Sequence, residues 1–169
     1  DRVFVLMQLK LGLRASELSN IKLSEIHLSN RDVQAHYDEL GTATAMRDRE
    51  NAVYIPHDRE RNKSRRPRML PLDDELRHAL LRYLLIRPDN GEPWLFLSKT
   101  RHNKMNRENV NDVWTEHFRP KYAETEEHRA ITSHYGRHFF TTYWRVHEDL
   151  NRELIKYMRG DTAGSATME

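Results

Sequence analysis

Apolar residues recur at a helical spacing from residue 3 to residue 11, and Gly12 follows as a residue that commonly ends helices. Residues 13–18 predict a second, short helix. Four later runs have the length and composition of strands; they are residues 26–28, 33–37, 52–55 and 68–72. The first half of the chain therefore predicts helices beside a small antiparallel sheet.

The second half of the chain predicts four more helices. Each follows a side chain that can accept a hydrogen bond from the first free backbone amides, and each carries apolar residues on one face. The expected caps and spans are Asp73 or Asp74 for a helix ending near Pro88, Asn106 or Asn109 for a helix to residue 118, Ser133 for residues 134–146, and Asn151 for residues 153–158. Gly160 is expected to end the last helix. The predicted fold class is α+β and mostly helical, with the sheet near the N-terminal half.

Length and composition narrow the classes of function. The 169 residues suit one domain, residues 1–169. The absence of cysteine excludes disulfides, zinc–thiolate sites and thiol catalysis. No apolar run reaches the ~20 residues of a membrane helix, and the first residues have no signal-peptide pattern. We therefore expect a soluble protein without a membrane partner.

Positive charge is concentrated in two places although the net charge is only +2. Six cations lie between residues 59 and 68 beside the single acid Glu60, and a second cluster lies between residues 99 and 107. One such run can be a solvated loop, but two runs favour a nucleic-acid partner. The expected DNA-binding residues are Arg61, Arg65, Arg66, Lys99, Arg101 and Lys104.

Three separated motifs carry the candidate chemistry. They are Gly-Leu-Arg-Ala-Ser-Glu-Leu at residues 12–18, Lys63 with Pro71 eight residues later, and His-Tyr-Gly-Arg-His-Phe at residues 134–139. In order and local pattern they resemble the catalytic motifs of the tyrosine recombinases, or phage-type integrases. Each motif alone is weak, whereas three in sequence are specific. The resemblance extends from about Val3 to the last residue.

The resemblance implies a role for each polar residue of these motifs. Arg14 and Arg137 would hold the non-bridging oxygens of a DNA phosphate, where negative charge grows during attack. Lys63 would be the general acid that protonates the departing 5′ oxygen, and the cations beside it favour release of its proton. His134 would contact the same phosphate. Glu17 and His138 would support these groups.

Two features depart from the family pattern. Asp161 stands where the family usually has a histidine or tryptophan that donates to the phosphate. An ionised carboxylate repels a phosphate unless a cation neutralises it, so either Arg159 replaces the donor or an arginine holds Asp161. The polar stretch 38–51 is an insertion or an enlarged hairpin loop whose role the sequence does not give.

The nucleophile of the family is a tyrosine that follows this turn, at or just beyond Glu169. The seven tyrosines of the chain all precede Gly160; they are Tyr37, Tyr54, Tyr83, Tyr122, Tyr135, Tyr143 and Tyr157. We therefore expect a catalytic-domain fragment that lacks the nucleophile segment and an N-terminal core-binding domain. It would bind double-stranded DNA without cleaving it.

For the intact enzyme the resemblance implies strand cleavage and rejoining through a 3′-phosphotyrosyl intermediate, without metal or cofactor. It also implies a homotetramer on DNA and a cytoplasmic, DNA-associated location. Three alternatives remain open from the residues. They are a type IB topoisomerase-like enzyme, a non-catalytic DNA-binding regulator on the same fold, and a metal-dependent hydrolase that uses the (i, i+4) pair His134 and His138.

Overall fold

The structure is a computed structural model that describes residues 1–163. Within them, the α-helices are α1 (Arg2–Leu11), α2 (Ala15–Ser19), α3 (Arg31–His36), α4 (Asp74–Ile86), α5 (Arg107–Phe118), α6 (Ser133–Thr142) and α7 (Arg152–Arg159). The strands are β1 (Ile26–His27), β2 (Ala52–Ile55) and β3 (Arg68–Pro71). Short 3-10 turns cover Leu23–Glu25 and Thr44–Met46, and a π-helical turn, Tyr143–His147, continues α6. The predicted α+β, mostly helical class is confirmed.

The three strands form one antiparallel sheet in the order β1-β2-β3. Val53, in the central strand, pairs with Ile26 on one side and with Leu70 on the other. All three side chains are fully buried. The face of the sheet that carries these side chains therefore lies in the core. The strands predicted at residues 52–55 and 68–72 are present, and the second ends at Pro71.

The prediction of a strand at residues 33–37 is wrong. Residues 33–36 belong to α3 and Tyr37 is its C-cap, because the Asn30 side chain accepts a hydrogen bond of 3.1 Å from the backbone amide of Val33 and caps a helix. Val33 and Tyr37 are four residues apart and both buried, which suits a helix face as well as a strand. The Tyr37 hydroxyl donates to the carbonyl oxygen of Leu84 and so attaches α3 to α4.

The first helix is at the centre of the packing. It contacts α4 on one side and α6 on the other, and its residues Met7 and Leu11 are buried. The buried Gln8 side chain donates to the carbonyl oxygens of Leu13 and Ser133, both at 3.3 Å, and accepts from the Trp114 indole at 2.6 Å. One glutamine therefore joins α5, the start of α6 and the turn after α1.

Helix ends agree with the sequence in most places. Asp73, Asn106 and Asn151 each accept a hydrogen bond from a backbone amide in the first turn of the helix that follows. At α6 the capping position is Thr132, whereas Ser133 is the first helical residue and its hydroxyl donates to the side chain of Asn111. The last helix ends at Gly160 as predicted.

The second helix begins at Ala15, two residues later than predicted, because the backbone at Arg14 is extended. The stretch 38–51 is partly packed against the sheet: Leu40 and Met46 are buried, and the Gly41 amide donates to the carbonyl oxygen of Leu23. The position expected for the nucleophile, at or beyond Glu169, lies outside the described residues. Across residues 1–163, no helix combines the length and apolar character needed to cross a bilayer.

Candidate active site

Four residues from the three sequence motifs line one open cleft of about 470 Å³. They are Arg14, Lys63, His134 and Arg137, and they come from the turn before α2, the β2–β3 loop and α6. The helix α5 contributes further polar residues to this cleft: Arg107, Asn111, Thr115 and Arg119. The motifs, up to 125 residues apart, therefore meet at one place.

The turn between α1 and α2 depends on Gly12. Its φ is 63°, and an added Cβ would lie 2.7 Å from the Phe140 ring, so the turn requires glycine. The Gly12 carbonyl oxygen accepts a hydrogen bond of 2.7 Å from Nη1 of Arg137. The same turn thus presents Arg14 to the cleft and holds the second arginine.

Glu17 holds both the backbone and the side chain of Arg14 in position. Its carboxylate accepts hydrogen bonds from the Arg14 backbone amide at 2.8 Å and from Nη1 of Arg14 at 3.1 Å. It also binds Nη2 of Arg68 at 2.8 Å, and both of these side chains have no exposed area. Burial would raise the pKa of Glu17, but Arg68 and Arg14 outweigh it and hold that pKa below 4.5.

Sequence reasoning missed the role of Arg68, which it counted only within the basic run. Its position in the strand indicates that Arg68 faces the core. Residues 68, 70 and 72 share one face of a strand, and Leu70 and Leu72 are apolar. A cation on a core-facing strand position requires a buried anion. In the structure that anion is Glu17.

The second arginine of the cleft, Arg137, is 3% exposed at its side chain. Its Nη2 donates to the Arg159 carbonyl oxygen at 3.0 Å and to Oδ1 of Asp161 at 2.8 Å. Burial and the neighbouring Arg14 and Arg159 lower the pKa of Arg137 to about 9. It therefore remains charged at neutral pH.

The carboxylate of Asp161 lies among three guanidinium groups. Besides Arg137, Oδ1 accepts from Nη2 of Arg14 at 3.3 Å. Oδ2 lies 2.9 Å from Nε of Arg159 as an ion pair without hydrogen-bond alignment. Nη1 of Arg159 donates instead to the Thr141 hydroxyl at 3.0 Å. Of the two arrangements that the sequence left open, Asp161 is thus held by arginines.

The charges of the ionic cluster around Glu17 and Asp161 do not cancel. Four guanidinium groups face two carboxylates, which leaves an excess of two positive charges; the members are Arg14, Arg68, Arg137, Arg159, Glu17 and Asp161. Such an excess suits a ligand that is anionic and becomes more so during reaction.

His134 and His138 form a pair on α6 with their ring centroids 4.7 Å apart, edge to face. His134 lines the cleft, whereas His138 lines only the neighbouring one, and both side chains are accessible to solvent. Burial, the His138 ring and nearby arginines lower the pKa of His134 below 6.5, so its imidazole is neutral at pH 7. Within residues 1–163, no third metal-ligating side chain joins this pair.

Lys63 is exposed in the β2–β3 loop, which is attached to the end of α7. The Arg65 backbone amide donates to the Gly160 carbonyl oxygen at 3.0 Å. Gly160 has a φ of 71°, and an added Cβ would lie 2.8 Å from Cβ of Ser64 and overlap the guanidinium of Arg68. The lysine loop and the turn that carries Asp161 are therefore in direct contact.

The remaining basic residues of this loop differ in environment. The Arg61 side chain is 80% exposed beside Glu60, and Arg65 is exposed. Arg66 is partly buried, with its guanidinium 5.3 Å from the Tyr157 ring centroid. Only two of the three expected DNA-binding arginines of the loop are thus freely accessible.

The second basic cluster is also heterogeneous. Lys99 binds the Asp1 carboxylate at 2.9 Å, and Arg101 is exposed. The Lys104 ammonium lies over the Trp94 ring, 3.8 Å from its centroid. None of the three lines the cleft.

A larger cleft of about 780 Å³ adjoins the first and is lined mainly by residues of the 119–132 loop. It shares His134 with the first cleft but contains neither Arg14, Lys63 nor Arg137. The smaller cleft is therefore the candidate active site, because the guanidinium groups of Arg14 and Arg137, the exposed Lys63 side chain and the His134 imidazole meet there. This set can bind a tetrahedral oxyanion and move protons beside it.

Solved structures similar to this chain are recombinases and integrases. A XerA recombinase superposes with a TM-score of 0.66 at 21% identity, over 96% of this chain and 48% of that chain. The Tn1549 transposon integrase, in complex with a circular intermediate DNA, gives 0.65 at 16% identity, over 94% and 49%. A lambda integrase dimer bound to a COC′ core site gives 0.64 at 15% identity, over 99% and 40%.

The chain spans about half the length of these structures, or less, and at these identities they show the fold. Among curated proteins, none matches the sequence. The model of the phage integrase family matches residues 1–160, which include all three motifs and the arginine cluster up to Gly160. The chain belongs to the phage integrase family.

Proposed function

We propose that this chain is the catalytic region of a recombinase that cuts and rejoins double-stranded DNA. The observation that carries the proposal is the convergence of Arg14, Lys63, His134 and Arg137 on one cleft beside an excess of positive charge. Family membership supports it. The DNA in the Tn1549 integrase complex supports a DNA substrate.

The reaction needs one nucleophile and two proton transfers. A tyrosine hydroxyl attacks the phosphorus and passes its proton to the neutral His134 imidazole. The bond to the 5′ oxygen breaks, and Lys63 protonates that oxygen to give a free hydroxyl. Arg14 and Arg137 stabilise the charge on the non-bridging oxygens. Rejoining reverses each step on a new strand end.

We propose that this tyrosine comes from sequence outside the described residues. No tyrosine of residues 1–163 lines the cleft. The polypeptide of residues 1–169 would then bind DNA without cutting it, and its affinity would fall steeply with salt because phosphate contacts release counterions. Assembly as a tetramer on two duplexes belongs to the same proposal, and the lambda integrase tetramer bound to a Holliday junction supports it.

The test is to trap the covalent intermediate in the full-length protein. The substrate is a duplex with a nick close to the cleavage site, so that cleavage releases a short fragment with a free 5′ hydroxyl. When this fragment diffuses away, rejoining is prevented and the 3′-phosphotyrosyl adduct remains. Denaturing gels and mass spectrometry detect the adduct. The attached residue should be a tyrosine that follows Glu169. Failure to form an adduct on DNA that the protein binds specifically would overturn the enzymatic assignment.

A second candidate, a DNA-binding regulator without catalysis, is favoured by one observation. Asp161 already occupies donors of Arg14 and Arg137. Specific DNA binding without an adduct is its expected result. A topoisomerase-like enzyme would form the adduct but would not exchange strands between two duplexes.

A further inference from the structure

Three cations lie close to the indole ring of Trp94, whose backbone forms an isolated β-bridge with Lys22. The Lys104 ammonium lies 3.8 Å from the ring centroid, the Lys22 ammonium 5.4 Å and the Arg59 guanidinium 5.9 Å. The indole is half-buried. Each separation falls within the ~6 Å at which a cation is attracted to an aromatic face.

The three cations around Trp94 have fewer acidic partners than positive charges. Arg59 binds both carboxylate oxygens of Glu25, but among residues 1–163 neither Lys22 nor Lys104 makes an ion pair. Partial burial and the nearby cations Arg59, Arg61 and Lys22 lower the pKa of Lys104. Cations that are held together against their mutual repulsion provide a site for an external anion.

The cluster is attached to the loop that carries the candidate general acid. The side-chain amide of Asn20 donates to the Glu60 carbonyl oxygen at 3.1 Å and to Oδ1 of Asn62 at 2.9 Å, and the backbone carbonyl oxygen of Asn20 accepts from the Arg59 guanidinium. Lys63 follows Asn62 directly. Because Arg59 and Lys63 are four residues apart, their Cα atoms lie at most about 14 Å from each other.

We propose that Lys22, Arg59 and Lys104 form, around Trp94, a second anion site that binds a backbone phosphate of duplex DNA. This inference rests on the proposed function. This upper limit of about 14 Å corresponds to at most about four base-pair rises of about 3.4 Å along the helix axis, so the contacted phosphate lies within a few nucleotides of the cleaved one.

The site recognises charge rather than base identity. The Lys104 ammonium already lies over the Trp94 ring, so a base could stack on that face only by displacing it. The exposed Arg61 lies near Lys104 and extends the positive surface beside this site. A continuous backbone of phosphates fits such a surface better than one isolated anion, and the contact should be independent of sequence.

The experiment measures binding of a labelled, short duplex DNA of mixed sequence across a range of salt concentrations. Lys22→Gln and Lys104→Gln should each reduce the slope of log affinity against log salt by about 1, the value for one lost phosphate contact. Their slope losses should add in the double variant. Trp94→Leu should weaken binding about two- to fivefold, since Lys104 loses its aromatic partner.

The matched control is Arg82→Gln, an exposed cation on α4 that lines neither cleft. Its slope should equal that of the unaltered protein, and circular dichroism should show all variants folded. Unchanged slopes in both lysine variants overturn the second site while leaving the proposed function intact. Absence of any duplex binding by the unaltered protein overturns both. Equal competition by polyglutamate would show a general acidic-polymer site and overturn the DNA assignment.

Discussion

Oδ1 of Asp161 accepts a hydrogen bond of 2.8 Å from Nη2 of Arg137, and both side chains are buried. The same oxygen lies 3.3 Å from Nη2 of Arg14, so one atom joins the two arginines proposed to hold the phosphate. An acidic residue at this position therefore orients the cationic groups of the cleft.

Asp161→Asn tests this relationship. The amide oxygen can still accept a hydrogen bond, but the charge that offsets the guanidinium groups is lost. We expect the free energy of unfolding to fall by about 1–3 kcal/mol, the typical cost of weakening a charge-assisted hydrogen bond in a buried site. DNA affinity at low salt should rise, because one negative charge leaves the cleft. Urea unfolding and DNA titration measure both, and weaker DNA binding with unchanged stability would contradict the prediction.

Arg68→Met should destabilise the protein by about 3–5 kcal/mol, because it leaves the Glu17 carboxylate buried without its main partner. The double variant Glu17→Gln/Arg68→Met removes both charges, so its loss should be smaller than the sum of the single losses. A double-mutant cycle from urea unfolding gives the coupling, expected at about 0.5–3 kcal/mol. Additive losses would show that the pair does not act as a unit.

Arg137→Ala in the full-length protein should reduce DNA cleavage by at least about 100-fold, as the loss of one oxyanion donor commonly does. DNA affinity should change far less, since the exposed cations remain. Single-turnover cleavage and equilibrium binding separate the two effects. Arg82→Ala, on the exposed side of α4, should alter neither. If cleavage and affinity fell equally, Arg137 would be only a binding charge.

Glu17 predicts a dependence of stability on acid pH. Its folded-state pKa is below the ordinary value of 4.5, so the native state takes up its proton only at lower pH than the unfolded state does. The contribution of Glu17 is therefore present above pH 4.5 and decreases as the pH falls below that value through the folded pKa. The free energy of unfolding should fall more steeply below pH 4.5 in the unaltered protein than in Glu17→Gln. Identical slopes would contradict this.

Alanine substitutions at two glycines distinguish the cost of a left-handed backbone from the cost of steric overlap. Gly91 and Gly160 have φ angles of 77° and 71°, but a Cβ on Gly91 meets nothing within 4 Å, whereas one on Gly160 meets Ser64 and Arg68. Gly91→Ala should cost about 1–2 kcal/mol from the left-handed conformation alone. Gly160→Ala should cost about 1–3 kcal/mol more through overlap. Thermal unfolding compares them, and equal losses would exclude the packing contribution.

Much of the fold follows from local patterns in the sequence. Side-chain caps such as Asp73 and Asn106 determine where helices begin, and the short apolar run 52–55 forms the central strand. The error at residues 33–37 arose because Val33 and Tyr37 fit both periodicities, and the Asn30 cap decided in favour of a helix.

The candidate site was predictable only as a set of motifs. The resemblance to the family's motifs identified Arg14, Lys63, His134 and Arg137, but their partners depend on tertiary packing. Strand periodicity indicates that Arg68 faces the core, but it does not identify Glu17 as its partner, and no local pattern predicts the contact of Arg65 with Gly160, because each contact joins segments far apart in the chain.

The buried carboxylates also have an entropic consequence. An arginine side chain loses about 1.5–2 kcal/mol of rotamer freedom when it is immobilised. Because Glu17 and Asp161 already restrain Arg14 and Arg137, this loss occurs while the chain folds. Two of the groups that would bind the phosphate are therefore preorganised. Less of the binding free energy is lost in ordering these side chains, so more of it is available to hold the phosphate in its reactive geometry.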